Sequence, residues 1–448
     1  MRCEIFDGTL DLIVGETPIA YIVFPISTSG QLKVSRNNES QVFTNQEIVA
    51  LANCLRADDL IVDEPLDPQN ILWIKDQLLD CEENCDHTPL PQYLPTRLLD
   101  VGVEGISEPR LVPATLLRDT TPSSTPIKYA TLSYCWGSKE EAAQQLITTQ
   151  SKFDSYCTRI PENQLTPVIK DAISVCRTID IKYLWVDALC IIQRDIEDWD
   201  RESEMMGMVY CHSYLTIAPL CSSSCLDGFL KPRPPDATIY FQSTIHNHIK
   251  GSFWIYECHN DTEAKHGKGN IRIPHPRSRD ESHSKWPKRG WTYQERKFAS
   301  RLLLFGKSML HFVCGSGSIS ESNFVVEGIN ALGGFRWLVP MAYSGERSED
   351  DKRLVSDLWT TINMVNLSQY TYETDLLPSI SGIAKACDAI LEDTYLAGLW
   401  KRNLHYELGR YKPLSNIYYI LLIFIATADL SIVCTLLPHN ISHCHLIS

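Results

Sequence analysis

Several common catalytic signatures are missing from this sequence. It contains no Walker phosphate loop, no G-x-G-x-x-G turn, no H-E-x-x-H zinc motif and no G-x-S-x-G nucleophile turn. Enzyme classes that rely on those motifs therefore lose their usual sequence support. Internal repeats and low-complexity tracts are absent as well. The 448 residues are enough for two or three globular domains with a sizeable core.

Positive charge is also scarce. Lys and Arg number 41 against 55 Asp and Glu, which gives a formal net charge of -14. A surface that neutralises phosphates needs an excess of Lys and Arg. We therefore expect no nucleic-acid partner.

A secretory signal is not evident, because acids and a glycine interrupt any hydrophobic stretch in the first eighteen residues. The sixteen cysteines are scattered. Many lie in apolar runs, where a reduced cysteine behaves as a small hydrophobic side chain. We expect a reducing, cytoplasmic setting without structural disulfides.

One group of cysteines has a spacing that suggests metal binding. Cys81, Cys85 and His87 form C-x3-C-x-H, but no second pair stands nearby to complete a tetrahedral site. A helix end with two ordinary cysteines is the simpler interpretation. The sequence therefore predicts no metal site.

Long hydrophobic runs are rare, and one is of membrane-spanning length. Residues 417–437 carry a single charge, Asp429. A charge near the middle of a span is costly, which counts against membrane contact. A truncated or intron-retaining gene model, which we favour, and a membrane anchor are the alternatives for this tail.

The composition shifts along the chain predict four regions. Strands that alternate with amphipathic helices in the second region indicate an α/β fold with a mainly parallel sheet and flanking helices. The regions are a mixed N-terminal part over 1–125, a central domain over 126–300 with an irregular insertion at 222–284, a strand and helical part over 301–410, and an atypical apolar tail over 411–448.

The central domain has its most informative stretch at residues 182–218. The apolar run 183–192 reads as a buried strand that carries Asp187 near its end. An acidic helix follows from residue 195, and the apolar run 214–220 reads as a second strand. Upstream, a helix that starts at Pro167 has apolar residues at helical spacing.

Helical phase separates the acids of this stretch. Glu202 lies at the edge of the apolar stripe, so partial desolvation would raise its pKa and suit it to acid/base or charge-stabilising work. Trp199 lies on the same side. The alternative is a solvated acidic face near a helix N-terminus, where the dipole favours it.

A second group of candidates follows the ends of two strands. Ser133, Tyr134 and Trp136 end the first strand of the domain, and Asp187 ends the next. In open α/β sheets, ligands bind at the carboxyl ends of the strands. We expect these four side chains to line a binding site, although loop hydrogen bonding explains Asp187 and core packing explains Trp136 equally well.

A thiol hydrolase built from Cys190, His212 and Asp187 is a weaker alternative. Cys190 lies inside the apolar run, and a thiol in such surroundings is usually inert.

Three blocks of the sequence resemble the signature blocks of the fungal heterokaryon incompatibility (HET) domain. They are YATLSYCWG at Tyr129–Gly137, YLWVDALCIIQ at Tyr183–Gln193 with Asp198, Trp199 and Glu202 after it, and RGWTYQE at Arg289–Glu295. Their order and spacing fit over residues 129–295. The resemblance implies a role in non-self recognition and programmed cell death.

The HET domain is regarded as a distant relative of TIR domains, which have a flavodoxin-like fold. Trp199 followed by Glu202 resembles the W-x-x-x-E helix of TIR enzymes, one residue shorter. By that resemblance, Glu202 would assist hydrolysis of NAD as a substrate, with no bound cofactor. Ser133, Tyr134, Trp136, Asp187 and Trp199 would line the pocket.

The resemblance leaves two molecular interpretations open. In the first, the protein is an NAD glycohydrolase centred on Glu202. In the second, it is a non-catalytic module that self-assembles or binds a protein partner through the acidic helix.

Overall fold

The computed structural model describes two units, residues 1–336 and 337–448. Side chains are described for 62–85, 93–120, 126–233 and 277–321 in the first unit, and for 338, 348–356, 359, 370, 375, 377–395 and 400–402 in the second. For 2–6, 9–14, 17–23, 33–36, 39–42, 237–242, 250–257, 276, 325–327, 357–358, 360–362, 396, 399 and 403 the backbone alone is described. His87 and the apolar run 417–437 lie outside the described residues.

The strands of the first unit begin near the N-terminus and continue to its end. They are β1 Arg2–Phe6, β2 Thr9–Val14, β3 Thr17–Val23, β4 Lys33–Arg36, β5 Glu39–Val42, β6 Arg97–Asp100, β7 Arg110–Pro113, β8 Tyr129–Leu132, β9 Tyr183–Trp185, β10 Leu215–Pro219, β11 Ala237–Gln242, β12 Lys250–Glu257, β13 Arg301–Phe305, β14 Leu310–Cys314, β15 Gly317–Ser320 and β16 Val325–Glu327.

The helices of the first unit lie mostly between the strands of the central domain. They are α1 Pro68–Asn84, α2 Ala114–Thr120, α3 Lys139–Ala142, α4 Phe153–Thr158, α5 Pro167–Thr178, α6 Asp187–Cys190, α7 Ile196–His212, α8 Pro276–His283 and α9 Gly290–Phe298.

A nine-stranded sheet forms the centre of the first unit, in the order β16-β15-β14-β13-β10-β8-β9-β6-β7. The four strands β13, β10, β8 and β9 run parallel to one another. Numbered along the chain, these four stand in the order 2-1-3-4, so the strand order reverses between β8 and β10. Helices α5 and α7 lie in the crossovers on either side of β9.

The remaining strands of this sheet pair antiparallel, in five of its eight pairings. Connections such as residues 306–309 and 315–316 are too short for a crossover, so the chain must turn back on itself there. An α/β fold is confirmed, but the expectation of a mainly parallel sheet holds only for the centre.

Burial explains why the parallel strands form where they do. Every residue of β8 and β10 is buried, as expected of strands covered on both faces. The predicted apolar face of α5 is buried too, including Val168, Ile169, Ala172, Val175 and Cys176.

The run 183–192 was expected to be one strand, and that expectation is wrong. The strand β9 ends at Trp185, and Asp187 opens the short helix α6. The Asp187 carboxylate accepts a hydrogen bond from the backbone N–H of Ala188, at 2.7 Å. A side-chain acceptor at the start of a turn favours helix over strand, so Asp187 is the first residue of a short helix and not the last residue of a strand.

A five-stranded antiparallel sheet, β1-β2-β3-β12-β11, joins the N-terminal residues to the region we expected to be an irregular insertion. Strands β11 and β12 pair as a hairpin there, and α8 follows.

The second unit contains α10 Glu349–Ile362, α11 Pro378–Leu391, β17 Tyr395–Leu396 and β18 Leu399–Trp400. Trp359 and Trp400 pack edge to face, with ring centroids 5.4 Å apart. Within the described part of the chain, no helix has both the length and the apolar character needed to cross a membrane.

Candidate functional site

The carboxyl ends of the parallel strands meet at one edge of the central sheet. In open α/β sheets, a ligand crevice forms at this edge where the strand order reverses, which is here between β8 and β10. Residues 133–137 leave β8 at that point. Gly137, with φ 92°, turns the chain into α3. We call the polar group assembled there, built on Ser133, Trp136, Asp187, Arg289 and Glu295, the sheet-edge site.

Ser133 links the first strand of this site to two later segments. Its hydroxyl accepts a hydrogen bond from the Trp286 indole N–H at 2.7 Å and donates one to Glu295 Oε2. Its backbone N–H donates to Ile217 on β10, at 2.9 Å. All three side chains, Ser133, Trp286 and Glu295, are at most 4% exposed. The serine is thereby fixed in one position and serves to orient Glu295.

Asp187 is held beside Trp136. The Trp136 indole N–H donates to Asp187 Oδ2 at 2.9 Å, while Oδ1 accepts from the backbone of Ala188. Both Asp187 and Trp136 keep part of their surface exposed. Each carboxylate oxygen therefore has one fixed donor and can still meet a ligand.

Arg289 brings a positive charge to the two carboxyl groups. Its Nη1 lies 3.5 Å from Glu295 Oε2, and its side chain is 21% exposed. The same nitrogen donates to the Thr292 hydroxyl at 3.2 Å. A partly exposed guanidinium of this kind can bind phosphate or carboxylate oxygens of a ligand.

Burial sets the protonation behaviour of the site. It raises the pKa of Asp187 and that of Glu295, and the charge of Arg289 offsets only part of the effect on each. Groups with raised pKa values next to a specific charge partner in a cleft are typical of functional sites. The pair can therefore exchange protons nearer to neutral pH than carboxyl groups in water.

Buried polar atoms without a protein partner lie next to Asp187. Among the described residues, the Tyr134 hydroxyl and both amide atoms of Gln145 have none, although the two side chains are at most 5% exposed. Burial raises the pKa of Tyr134, and the nearby Asp187 carboxylate raises it further. Buried polar groups are normally satisfied, and Tyr134 lies close enough to Asp187 and Gln145 to interact with both, so the three side chains form one polar group at this edge.

Glu202 belongs to a different cluster. It accepts a hydrogen bond from the Thr96 hydroxyl at 2.6 Å and lies 3.3 Å from Arg97 Nη2. Asp198 pairs with the same Arg97 nitrogen at 2.6 Å, and its Oδ2 accepts from the backbone of Ile192. Burial raises the pKa of Glu202, as its helical phase predicts. We call Thr96, Arg97, Asp198 and Glu202 the Arg97 cluster.

Trp199 lies between the two groups of residues. It packs edge to face on Trp291 of α9, with ring centroids 5.9 Å apart. Because α9 also carries Glu295, this contact couples the acidic helix to the sheet-edge site.

The structure thus brings four of the six expected site residues together. The four that meet at the sheet edge are Ser133, Tyr134, Trp136 and Asp187. Trp199 contacts this site indirectly, through Trp291, and Glu202 pairs with Arg97.

Sequence reasoning missed Arg289 and Glu295 as site residues, although both stand in the RGWTYQE block. Arg97 was not predicted as a partner of Asp198 and Glu202, because Asp198 lies about a hundred residues further along the chain.

The thiol alternative has little support in the geometry. Cys190 is fully buried, and burial raises the pKa of its thiol to about 12. His212 Nδ1 is 3.0 Å from the Met208 backbone carbonyl. A thiol with that pKa stays protonated at neutral pH and is a poor nucleophile.

Comparison with known proteins gives one match. The family described as "Heterokaryon incompatibility protein (HET)" matches residues 129–295. No curated protein and no solved structure matches the chain. The matched range includes all five members of the sheet-edge site.

Proposed function

Residues 129–295 form a heterokaryon incompatibility (HET) domain, and we propose from this premise that the protein is an effector of fungal non-self recognition that triggers cell death from the cytoplasm. The sheet-edge site is the part of the domain that performs the chemistry. The observation that carries this proposal is the convergence of Asp187, Glu295 and Arg289 at the strand-order reversal. It is there that a ligand crevice forms in open α/β sheets.

The strand order supports a flavodoxin-like, TIR-related fold for the domain. The four parallel strands in the order 2-1-3-4 correspond to the first four positions of the flavodoxin-like order 2-1-3-4-5. In this chain the next position, beyond β13, is taken by the antiparallel strand β14.

The chemistry of the site suits hydrolysis of the nicotinamide–ribose bond of NAD. The Arg289 guanidinium can bind the pyrophosphate, and the half-buried Trp136 offers an indole to a planar base. A carboxylate stabilises the positive charge that develops on the ribose as nicotinamide leaves, as in glycosidases. Water then bonds to the ribose carbon, the C–N bond electrons leave with nicotinamide, and one proton is released.

Two carboxylate assignments follow from this proposal. The resemblance to TIR enzymes favours Glu202, whereas the geometry favours Asp187 with Glu295. Glu202 is 1% exposed and is already paired with Arg97 and hydrogen bonded to Thr96. We propose that Asp187 faces the reacting sugar and that Glu202 acts through the position of α7.

Nicotinamide release from NAD by the purified full-length chain tests the activity. We expect Asp187→Asn to lower kcat at least about 100-fold, within the range that a positioned carboxylate supplies. Asp180→Asn is the matched control, because the Asp180 side chain is 81% exposed and its φ of 61° tolerates asparagine. Absence of turnover in folded wild-type protein would refute the hydrolase.

The same assay separates the two carboxylates. Glu202→Gln should lower stability more than it lowers kcat of the folded fraction, and the exposed Glu204→Gln should change neither. Loss of activity in a fully folded Glu202→Gln protein would return the catalytic role to Glu202.

A non-catalytic interaction module is the second candidate. The outer face of α7 supports it, since Glu197, Asp200 and Glu204 are exposed there and Ile196 is 77% exposed. An acidic face with an apolar residue can bind a basic protein partner or a second copy of the chain. Cell death that persists in Asp187→Asn but is lost when these exposed residues are changed would favour this function.

A further inference from the structure

Three cysteine thiols converge from distant parts of the chain, away from the sheet-edge site. Cys81 and Cys85 stand one helical turn apart at the end of α1, and Cys314 ends β14. Their sulfur atoms all lie within 4.8 Å of one another. The Cys85 and Cys314 sulfurs, 229 residues apart in sequence, are separated by 3.7 Å.

We propose that Cys81, Cys85 and Cys314 bind a Zn²⁺ ion that joins α1 to the central sheet. In a tetrahedral site with Zn–S bonds of about 2.3 Å, neighbouring sulfurs lie about 3.8 Å apart. The separation of Cys85 and Cys314 matches that value, and a disulfide would need about 2.05 Å. The geometry therefore fits three sulfur ligands around one ion.

The elements that carry the thiols are well packed. Cys81 and Cys314 are 2% and 5% exposed, whereas Cys85 is only half-buried. Residues i and i+4 of a helix share one face, so Cys81 and Cys85 point to the same side of α1. Two buried ligands fix the site, and the half-buried third leaves an entry route for the ion.

Arg301 supplies the charge that such a site needs. Three thiolates and Zn²⁺ together carry one negative charge. The Arg301 Nε donates a hydrogen bond to Cys81 Sγ at 3.2 Å, which offsets that charge. Its Nη1 donates to the Tyr214 carbonyl at 3.2 Å, so the guanidinium is held in place. Hydrogen bonds from such outer groups orient metal ligands and tune their basicity.

The ligand chemistry selects the ion. Thiolates favour Zn²⁺ over Mg²⁺ or Ca²⁺, which prefer oxygen ligands. The fourth position is left to water. Because the ligands come from both ends of the first unit, binding would stabilise the folded state over the unfolded chain.

Zinc content of the full-length protein tests the site. Reduced protein is stripped with a chelator, incubated with Zn²⁺ alone and desalted, and its metal is then measured by elemental mass spectrometry. We expect one zinc per wild-type chain. Cys85→Ser and Cys314→Ser should each lower that content at least about tenfold. The matched control Cys157→Ser removes a half-buried thiol on α4 and should keep the wild-type content.

A second measurement uses the wild-type protein only, so that it does not depend on whether the variants fold. Added Zn²⁺ should protect Cys81, Cys85 and Cys314 from alkylation, as mapped by peptide mass spectrometry, and leave labelling of Cys157 unchanged. Failure of the wild-type chain to retain zinc, equal retention in the Cys85→Ser and Cys314→Ser proteins, or a Cys85–Cys314 disulfide in place of the metal would each overturn the proposal.

Discussion

Arg97 is the buried cation that faces the two buried carboxylates of Asp198 and Glu202. Its side chain is 5% exposed, and Asp198 and Glu202 are 3% and 1% exposed. Its Nε also donates to the Cys190 backbone carbonyl at 2.6 Å. Arg201 also contacts both carboxylates, but its side chain is 55% exposed, so loss of Arg97 leaves two buried carboxylates with a solvent-screened partner alone.

We therefore predict that Arg97→Ala lowers the free energy of unfolding by about 3–5 kcal/mol, the range for breaking a buried ion pair. Arg110→Ala is the control on the neighbouring strand, since its side chain is 47% exposed and lies 3.7 Å from Asp100. We expect about 1 kcal/mol or less there. Urea unfolding followed by circular dichroism measures both, and equal losses would contradict the account.

Asp280 and His311 are in buried contact, with His311 Nε2 3.0 Å from Asp280 Oδ2, and the Ser308 hydroxyl donates to the same carboxylate oxygen at 2.7 Å. Burial works to raise the pKa of Asp280, but hydrogen bonds from His311 and Ser308, together with nearby positive charge, outweigh it and lower that pKa. The folded state then binds fewer protons at this group than the unfolded chain, whose aspartate pKa is about 3.9.

It follows that Asp280 stabilises the protein fully above about pH 5 and loses this effect as the pH falls through the lowered pKa. We predict a steeper loss of the urea midpoint below about pH 4 in wild type than in Asp280→Asn. Parallel profiles of the two proteins across that window would show that Asp280 contributes no such stability.

At the scale of elements, helix α7 carries Asp198 and Glu202 of the Arg97 cluster, and it begins at a defined cap. The Asp195 carboxylate accepts a hydrogen bond from the backbone N–H of Asp198, at 3.1 Å. The cap therefore sets the start of the helix and with it the position of Asp198 and Trp199.

Replacing Asp195 with alanine should lower the free energy of unfolding by about 1 kcal/mol, and Asp195→Ser should restore most of it. Asp200→Ala removes an exposed acid of the same helix and is expected to have a smaller effect. Thermal unfolding compares the three proteins. An Asp195→Ser protein as unstable as Asp195→Ala would argue against the cap.

The hydrophobic periodicity of single segments was enough to predict several helices and strands, but not which side chains contact one another across the fold. The burial of β8 and β10, the apolar face of α5 and the desolvation of Glu202 all follow from periodicity within one segment. The end of β9 at Trp185 could not be predicted in this way, because an apolar run alone does not distinguish a strand from a buried helical turn. Arg97, Arg289 and Cys314 reach their partners through the tertiary fold, which no local period encodes.

At the scale of the whole molecule, the central sheet extends beyond the range that matches the HET family. Only three of its nine strands, β8, β9 and β10, lie within residues 126–300. Arg97 lies outside that range as well. The domain bounds 126–300 remain a prediction. The sheet itself includes strands that precede residue 126 and strands that follow residue 300.

A fragment of residues 126–300 should therefore fail to fold, because it exposes unpaired edges of β9 and β10 and leaves Asp198 and Glu202 without Arg97. A fragment of residues 1–336 retains every strand of the sheet and should be soluble with a cooperative thermal transition. Soluble yield and circular dichroism test both, and cooperative folding of 126–300 alone would contradict the description of the sheet.

The central claim is that the sheet-edge site binds an NAD-like ligand, and equilibrium binding of NAD to the full-length chain by titration calorimetry tests it most directly. We predict that Arg289→Ala weakens binding at least about tenfold, equal to 1.4 kcal/mol, through loss of a phosphate contact. The exposed Arg110→Ala should leave the affinity unchanged. Wild-type affinity in a folded Arg289→Ala protein would contradict the claim.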